Sequence, residues 1–276
     1  MGSTEISFDC IYVMESLKQD EIQTGSELFY DVIQRRLHLF NHLSAQLVNM
    51  SSKEDLVREL RSIGERSSNQ QIFPYLHFEM HGSRYGLELA SEEIYSWEEL
   101  CSLLSAINAI TANNLFVSLA TCHGAFIMKA IDILGTIPFF AFVGPVVAVS
   151  AEETRADWQN YFETLINTRD IGKAIDALNS NNASVPYLVY TGEQIFNIIT
   201  GISLDSHKEK GFREERLNSL LNLTTRFPGI ARHYSQEEVE SILRNHVENM
   251  PLVMSRIRDH FLMRTDRVDY LSLLNP

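Results

Sequence analysis

The chain has 276 residues, 45% of them hydrophobic, and a formal net charge of −13. That length fits one large domain or one domain with an extension, at roughly 150 residues per domain. The composition excludes long disorder. The acidic balance excludes nucleic acid as the main partner, because phosphate binding needs a basic surface. No apolar run reaches the ~18 residues that span a bilayer. The nearest, IPFFAFVGPVVAVSA at 137–151, is broken by Gly144 and Pro145, so no membrane role is expected.

Three scattered cysteines make no disulfide framework, and the first residues lack the basic-then-apolar pattern of a secretory signal. The expected compartment is the reducing cytoplasm.

In chain order, ISFDCIYVM (6–14) reads as a buried strand, rich in Ile, Val, Phe and Tyr. SELFYDVIQRRLHLFNHL (26–43) has helical apolar spacing. A second helix, 51–67, opens with Ser51 and Glu54 spaced as a capping box. PYLHFEMHGS (74–83) is a second strand, ending in His81-Gly82, and 84–96 reads as a hairpin-like excursion. Ser96 and Glu99 then cap a helix whose stripe is Leu100, Cys101, Leu104 and Ile107.

NLFVSLAT (114–121) is the third strand and 126–134 the helix after it. A fourth strand follows at 138–149, then a helix capped by Ser150 and Glu153, another at 170–181, and a last strand at 185–192. Strands separated by helices imply crossovers, hence an α/β fold with a mostly parallel sheet covered on both faces. Residues 1–192 form this domain in the reading. Residues 193–276 form a helical extension, with a Ser235–Glu238 capping box and Pro251 suited to a helix's first turn.

Reactive groups in a parallel sheet collect at the carboxyl ends of the strands. Here one strand ends in Met80-His81-Gly82 and another in Thr121-Cys122-His123-Gly124. The 41 residues from His81 to Cys122 suffice for an excursion, a helix and a return to an adjacent parallel strand. A thiol of pKa near ~8.5 is mostly protonated at neutral pH, so it needs a neighbouring imidazole to become a nucleophile. A helix starting after Gly124 would point its positive end at the sulfur. The N–H groups of Gly82 and Cys122 are candidate oxyanion donors. Cys10 and Cys101, inside apolar patterns, read as core.

A zinc site is the rival reading, since His77, His81, Cys122 and His123 are all ligand types. On a strand, however, His77 and His81 stand ~13 Å apart, too far for one ion. No metal and no cofactor are expected.

The order strand–His-Gly, hairpin, helix, strand–Cys-x-Gly resembles the caspase-like cysteine peptidases, and above all their bacterial CHAT branch. The likeness runs through LHFEMHGS, GLELASEEIYSWEELCSLL and NLFVSLATCHGAF to PYLVYTG, about residues 5–192. It implies a three-layer αβα sandwich, a protein or peptide substrate, and a metal-free endopeptidase working through a thioester. It also implies His81 as general base, Cys122 as nucleophile, and Gly82 and Cys122 as oxyanion donors. Two positions before the cysteine, where metacaspases carry an acid and caspases a Gln, this chain has Ala120. It therefore follows neither specificity rule. Glu15, Glu152 and Glu153 are the acids placed to line a pocket for a basic P1 side chain.

In the extension, Lys208, Lys210, Arg213 and Arg216 gather within an acidic chain. They read either as a solvated helix or as a phosphate-binding sensor. Bacterial relatives resemble antiviral effectors held inactive until a nucleotide-type ligand or an activating protein arrives, and that is the expected regulation. A catalytically silent caspase-like module and another thiol acyl-transfer enzyme stay open.

Overall fold

The computed structural model describes residues 8–38, 43–180, 187–206, 208–224 and 234–264. The chain divides into two compact units, Met1–Asp132 with Thr136–Gly192, and Ile133–Gly135 with Glu193–Pro276. The first unit carries the sheet. Its strands are β1 (Cys10–Ser16), β2 (Ser44–Asn49), β3 (Pro74–Gly82), β4 (Gly86–Glu88), β5 (Ile94–Ser96), β6 (Phe116–Ala120), β7 (Ala141–Pro145) and β8 (Tyr187–Thr191). They lie in the order β2-β1-β3-β6-β7-β8, with β4 and β5 as a hairpin running off the end of β3. Every neighbouring pair along that path is parallel except β7–β8. This is the α/β architecture that the alternation of strand and helix patterns implies.

Period-two alternation sends successive strand residues to opposite faces. On one face Ile11, Val13, Tyr75, Phe116 and Val143 join a buried cluster with Trp158, Tyr161, Phe162 and Leu165 of α5 (Ala151–Thr168). The same cluster takes Leu28, Phe29, Val32 and Ile33, which form a π-helical stretch between α1 (Thr24–Glu27) and α2 (Gln34–Leu37). Ala174 and Leu178 of α6 (Ile171–Ser180) complete it. On the alternate strand positions Tyr12, Leu76, Phe78, Val117, Leu119 and Phe142 are buried. Buried side chains of α3 (Lys53–Gln70) and α4 (Trp97–Ile110), among them Leu56, Leu60, Leu100 and Leu104, supply the complementary apolar surface.

The sequence reading passed over β2, which extends the sheet beyond β1. SAQLVN is an edge strand with mostly exposed or half-buried positions, so it lacks the apolar density that marks its neighbours. The capping box of α3 sits one residue later than expected, at Ser52 and Asp55. SSKED offers the Ser-x-x-acid spacing in two overlapping frames, and spacing alone cannot choose between them. The boxes at Ser96–Glu99, Ser150–Glu153 and Ser235–Glu238 form as read.

The expected helix at 126–134 is instead a short 3₁₀ segment, Gly124–Ala130, which ends where Ile131 turns extended. The first helix runs over residues 24–37, and residues 39–42 of its expected span lie outside the described residues.

The second unit is helical: α7 (Gly192–Ser206), α8 (Lys210–Thr224) and α9 (Gln236–Phe261). Phe196 and Phe261 pack with tilted rings at 5.6 Å between centroids, and Arg244 bridges Glu214 of α8 and Glu240 of α9. Pro251 stands inside α9, not in a first turn, because the Ser235 cap starts the helix fifteen residues earlier. Among the described residues no helix is long and apolar enough to cross a membrane.

Candidate active site

The β3–β6 ladder pairs Tyr75 with Phe116, His77 with Ser118 and Glu79 with Ala120. Each partner lies 41 residues after the other, the separation of His81 and Cys122. The ladder ends at that last pair, and His81 and Cys122 lie two residues beyond it on their respective segments. Both line one cavity of about 320 Å³ at the carboxyl edge of the sheet, with Glu21, Glu79, Ala120 and Val149. Ala120 is part of the same lining.

Cys122 is half-buried. Its sulfur accepts the Val149 N–H at 3.4 Å, and its S–H is 3.5 Å from the Val149 carbonyl. The first bond is open to thiol and thiolate alike; the second is lost on deprotonation. Cys10 and Cys101 are buried. Burial pushes both thiols up, that of Cys101 to about 12.

The turn after Cys122 is held by His123, which adopts a left-handed conformation with φ 59° and donates its N–H to the Val147 carbonyl at 3.1 Å. Gly124 is needed for space, not for its dihedral freedom. A Cβ there would meet the Leu119 Cβ at 3.0 Å and the Pro145 Cδ at 3.3 Å.

Gly82 answers to the same constraint more severely, with a Cβ position 1.9 Å from the Thr121 hydroxyl and 2.6 Å from the Cys122 carbonyl. The backbones of the two reactive segments therefore touch at Gly82. Ser83 donates its N–H to the Gly86 carbonyl, and the next ladder pair is Gly82 with Leu87. Antiparallel ladders alternate bonded and non-bonded pairs, so the Gly82 N–H points away from β4.

The His81 Nε2 lies 2.7 Å from a Glu21 carboxylate oxygen, in the loop between β1 and α1. The other Glu21 oxygen accepts the Lys18 N–H at 2.7 Å. The hydrogen bond to His81 is the largest influence holding the Glu21 carboxyl below its ordinary range. Nothing in KQDEIQTG marks Glu21 by pattern; its position just past the end of β1 is the one signal available to sequence reasoning.

Beneath the cavity lies a buried polar line. His77 is fully buried, with Nδ1 2.7 Å from the Ser118 hydroxyl and Nε2 2.9 Å from Glu79. The second Glu79 oxygen accepts the Thr24 hydroxyl at 2.7 Å. The His77 ring packs on Trp158 and Phe162. His77 and His81 thus serve different partners two turns of the pleat apart, one in the core and one at the mouth.

Of the acids expected to line a specificity pocket, Glu15 is buried and accepts the Ser26 N–H and hydroxyl. Glu152 is exposed on the first turn of α5, and Glu153 closes the Ser150 capping box. The carboxylates that do line the cavity are Asp20, Glu21 and Glu79. Lys208, Lys210 and Arg216 are exposed at and near the start of α8, and Arg213 is half-buried there, donating to the Lys208 carbonyl. Among the described residues no three His, Cys, Asp or Glu side chains are grouped to hold a metal ion.

No protein-family model matches the chain, and a search of curated proteins finds no match.

Proposed function

We propose that the chain is a caspase-like cysteine endopeptidase of the CHAT kind, with Cys122 as nucleophile and His81 as general base. One observation supports this reading: His81 and Cys122, each just past the last pair of two parallel strands, line one cavity at the carboxyl edge of the sheet. The Cys122 sulfur attacks the scissile carbonyl carbon as His81 takes its proton. The tetrahedral oxyanion is met by the Gly82 and Cys122 N–H groups, donors of a type worth ~3–4 kcal/mol each. Collapse breaks the C–N bond, His81 returns its proton to the leaving amine, and water then hydrolyses the thioester.

Three carboxylates against one imidazole in the cavity lining favour a substrate with a cationic side chain. Activation by a nucleotide-type ligand or a protein partner, as in antiviral effectors, belongs to the same proposal, with Lys208, Lys210, Arg213 and Arg216 as its ligand-binding residues.

The test is a peptide library and lysate digested by wild type and Cys122→Ala, with and without cyclic nucleotides. Cleavage after Lys or Arg that vanishes in the variant is the expected result. Identical behaviour of the two proteins in every condition would sink the peptidase reading and favour a silent module. Acyl transfer to an acceptor other than water would make it a transferase.

A further inference from the structure

Resting on the peptidase reading, we propose that Glu21 is a positioning residue. It fixes the tautomer and pose of His81, so that Nδ1 is the nitrogen that takes the thiol proton. The Glu21 carboxylate faces the ring. Ionised, it only accepts, so the 2.7 Å contact requires the proton to sit on Nε2 of His81. A neutral imidazole carries one N–H, and Nδ1 is then left with a bare lone pair. That is the state a general base needs before the reaction starts.

Glu21 is itself held. Its second oxygen accepts the Lys18 N–H, and the Gln23 side-chain amide donates to the Lys18 and Glu21 carbonyls at 2.8 and 3.1 Å. Lys18 also pairs through its ammonium with Glu92 at 2.5 Å, in the turn of the β4–β5 hairpin that follows His81. The loop after β1 and the hairpin after β3 are thus tied together around the imidazole. Glu21 lines the same cavity as Cys122, so the brace approaches the ring from within the site. A side chain half-exposed, as His81 is, otherwise samples several rotamers and both tautomers.

The experiment compares wild type with Glu21→Ala, Glu21→Gln and Glu21→Asp. Residue 21 is on the surface, and unchanged melting curves check that each variant folds. ¹⁵N NMR of His81 reads the tautomer without any substrate. We expect the Nε2–H form in wild type, a mixture in Glu21→Ala, and recovery in Glu21→Gln, whose amide oxygen still accepts. With the cleavable peptide, kcat of Glu21→Ala should fall by about ten- to a hundredfold with KM little changed, the scale of a misplaced catalytic group. Glu21→Gln or Glu21→Asp should restore part of it.

The same tautomer in wild type and Glu21→Ala, or a loss confined to KM, would overturn the proposal. Cleavage that survives in Cys122→Ala refutes the peptidase reading instead, and the NMR arm still judges the hold of Glu21 on His81.

Discussion

Gly82→Ala places a methyl group where the two reactive strands touch. The new Cβ would stand 1.9 Å from the Thr121 hydroxyl, 3.2 Å from the Thr121 Cβ and 2.6 Å from the Cys122 carbonyl oxygen. The hydroxyl can turn away, although Thr121 is buried and has little room. The carbonyl is main chain and has no such freedom. Bringing it from 2.6 Å to an ordinary 3.4 Å contact moves the Cys122 peptide by about 0.8 Å. Overpacking of this kind costs ~1–3 kcal/mol of stability. A displacement near 1 Å at a reacting group costs about a hundredfold in rate. Urea melts and the rate of peptide cleavage measure the two effects separately. Adding Thr121→Ala removes the worst contact and leaves the carbonyl, so it should recover stability in part and activity hardly at all. Wild-type stability together with wild-type cleavage in Gly82→Ala would refute this account of the strand contact.

Four further outcomes are expected. In the native protein iodoacetamide should modify Cys122 well before Cys10 or Cys101, which are buried and whose thiols burial pushes up; equal rates by mass spectrometry would contradict the burial assignment. His77→Phe strips a partner from both Ser118 and Glu79 and should lower stability by about 3 kcal/mol or more in urea, at ~1–3 kcal/mol per orphaned group; adding Glu79→Gln should return part of the loss. Burial raises the Asp157 carboxyl, against the Tyr187 hydroxyl that donates to it. Its native state therefore holds the proton more tightly than the unfolded chain does. Its contribution is fully present below the unfolded pKa of about 3.9 and is lost as pH rises through the higher folded value. Asp157→Asn should thus gain on wild type across that window, and a gap that stays constant with pH would count against it. Ser96→Ala removes the cap of α4 and should cost about 1 kcal/mol, read from the urea midpoint.

The strands that carry the site were legible because they are buried on both faces and therefore dense in Val, Ile, Leu and Phe. The edge strand β2 was not, since half its side chains face water and its polarity resembles a loop's. That His81 and Cys122 line one cavity was readable because each follows the last pair of a ladder whose 41-residue offset they share. Sequence could supply strand ends and residue types. It could not supply what loops bring in from elsewhere. Glu21 reaches His81 by the fold of a loop with no periodicity, and Glu79 reaches Thr24 across 55 residues. The Cys-x-Gly turn shows the same limit in miniature. Its spacing does not say which residue takes which part: His123 takes the left-handed dihedral and Gly124 yields the room.

The shared offset of β3 and β6 also says where this chain tolerates change in length. Residues added between 83 and 115, at the tip of the hairpin or the end of α4, leave the offset of the paired segments untouched in space, since the strands re-pair by their buried faces. One residue inserted between 76 and 81, or between 117 and 122, turns the following side chain to the other face of the sheet. His81 in the first case, or Ala120 at the end of β6 in the second, would then face α3 and α4. Length variation among natural or engineered versions of this protein should therefore be generous in the first interval and nearly absent in the other two.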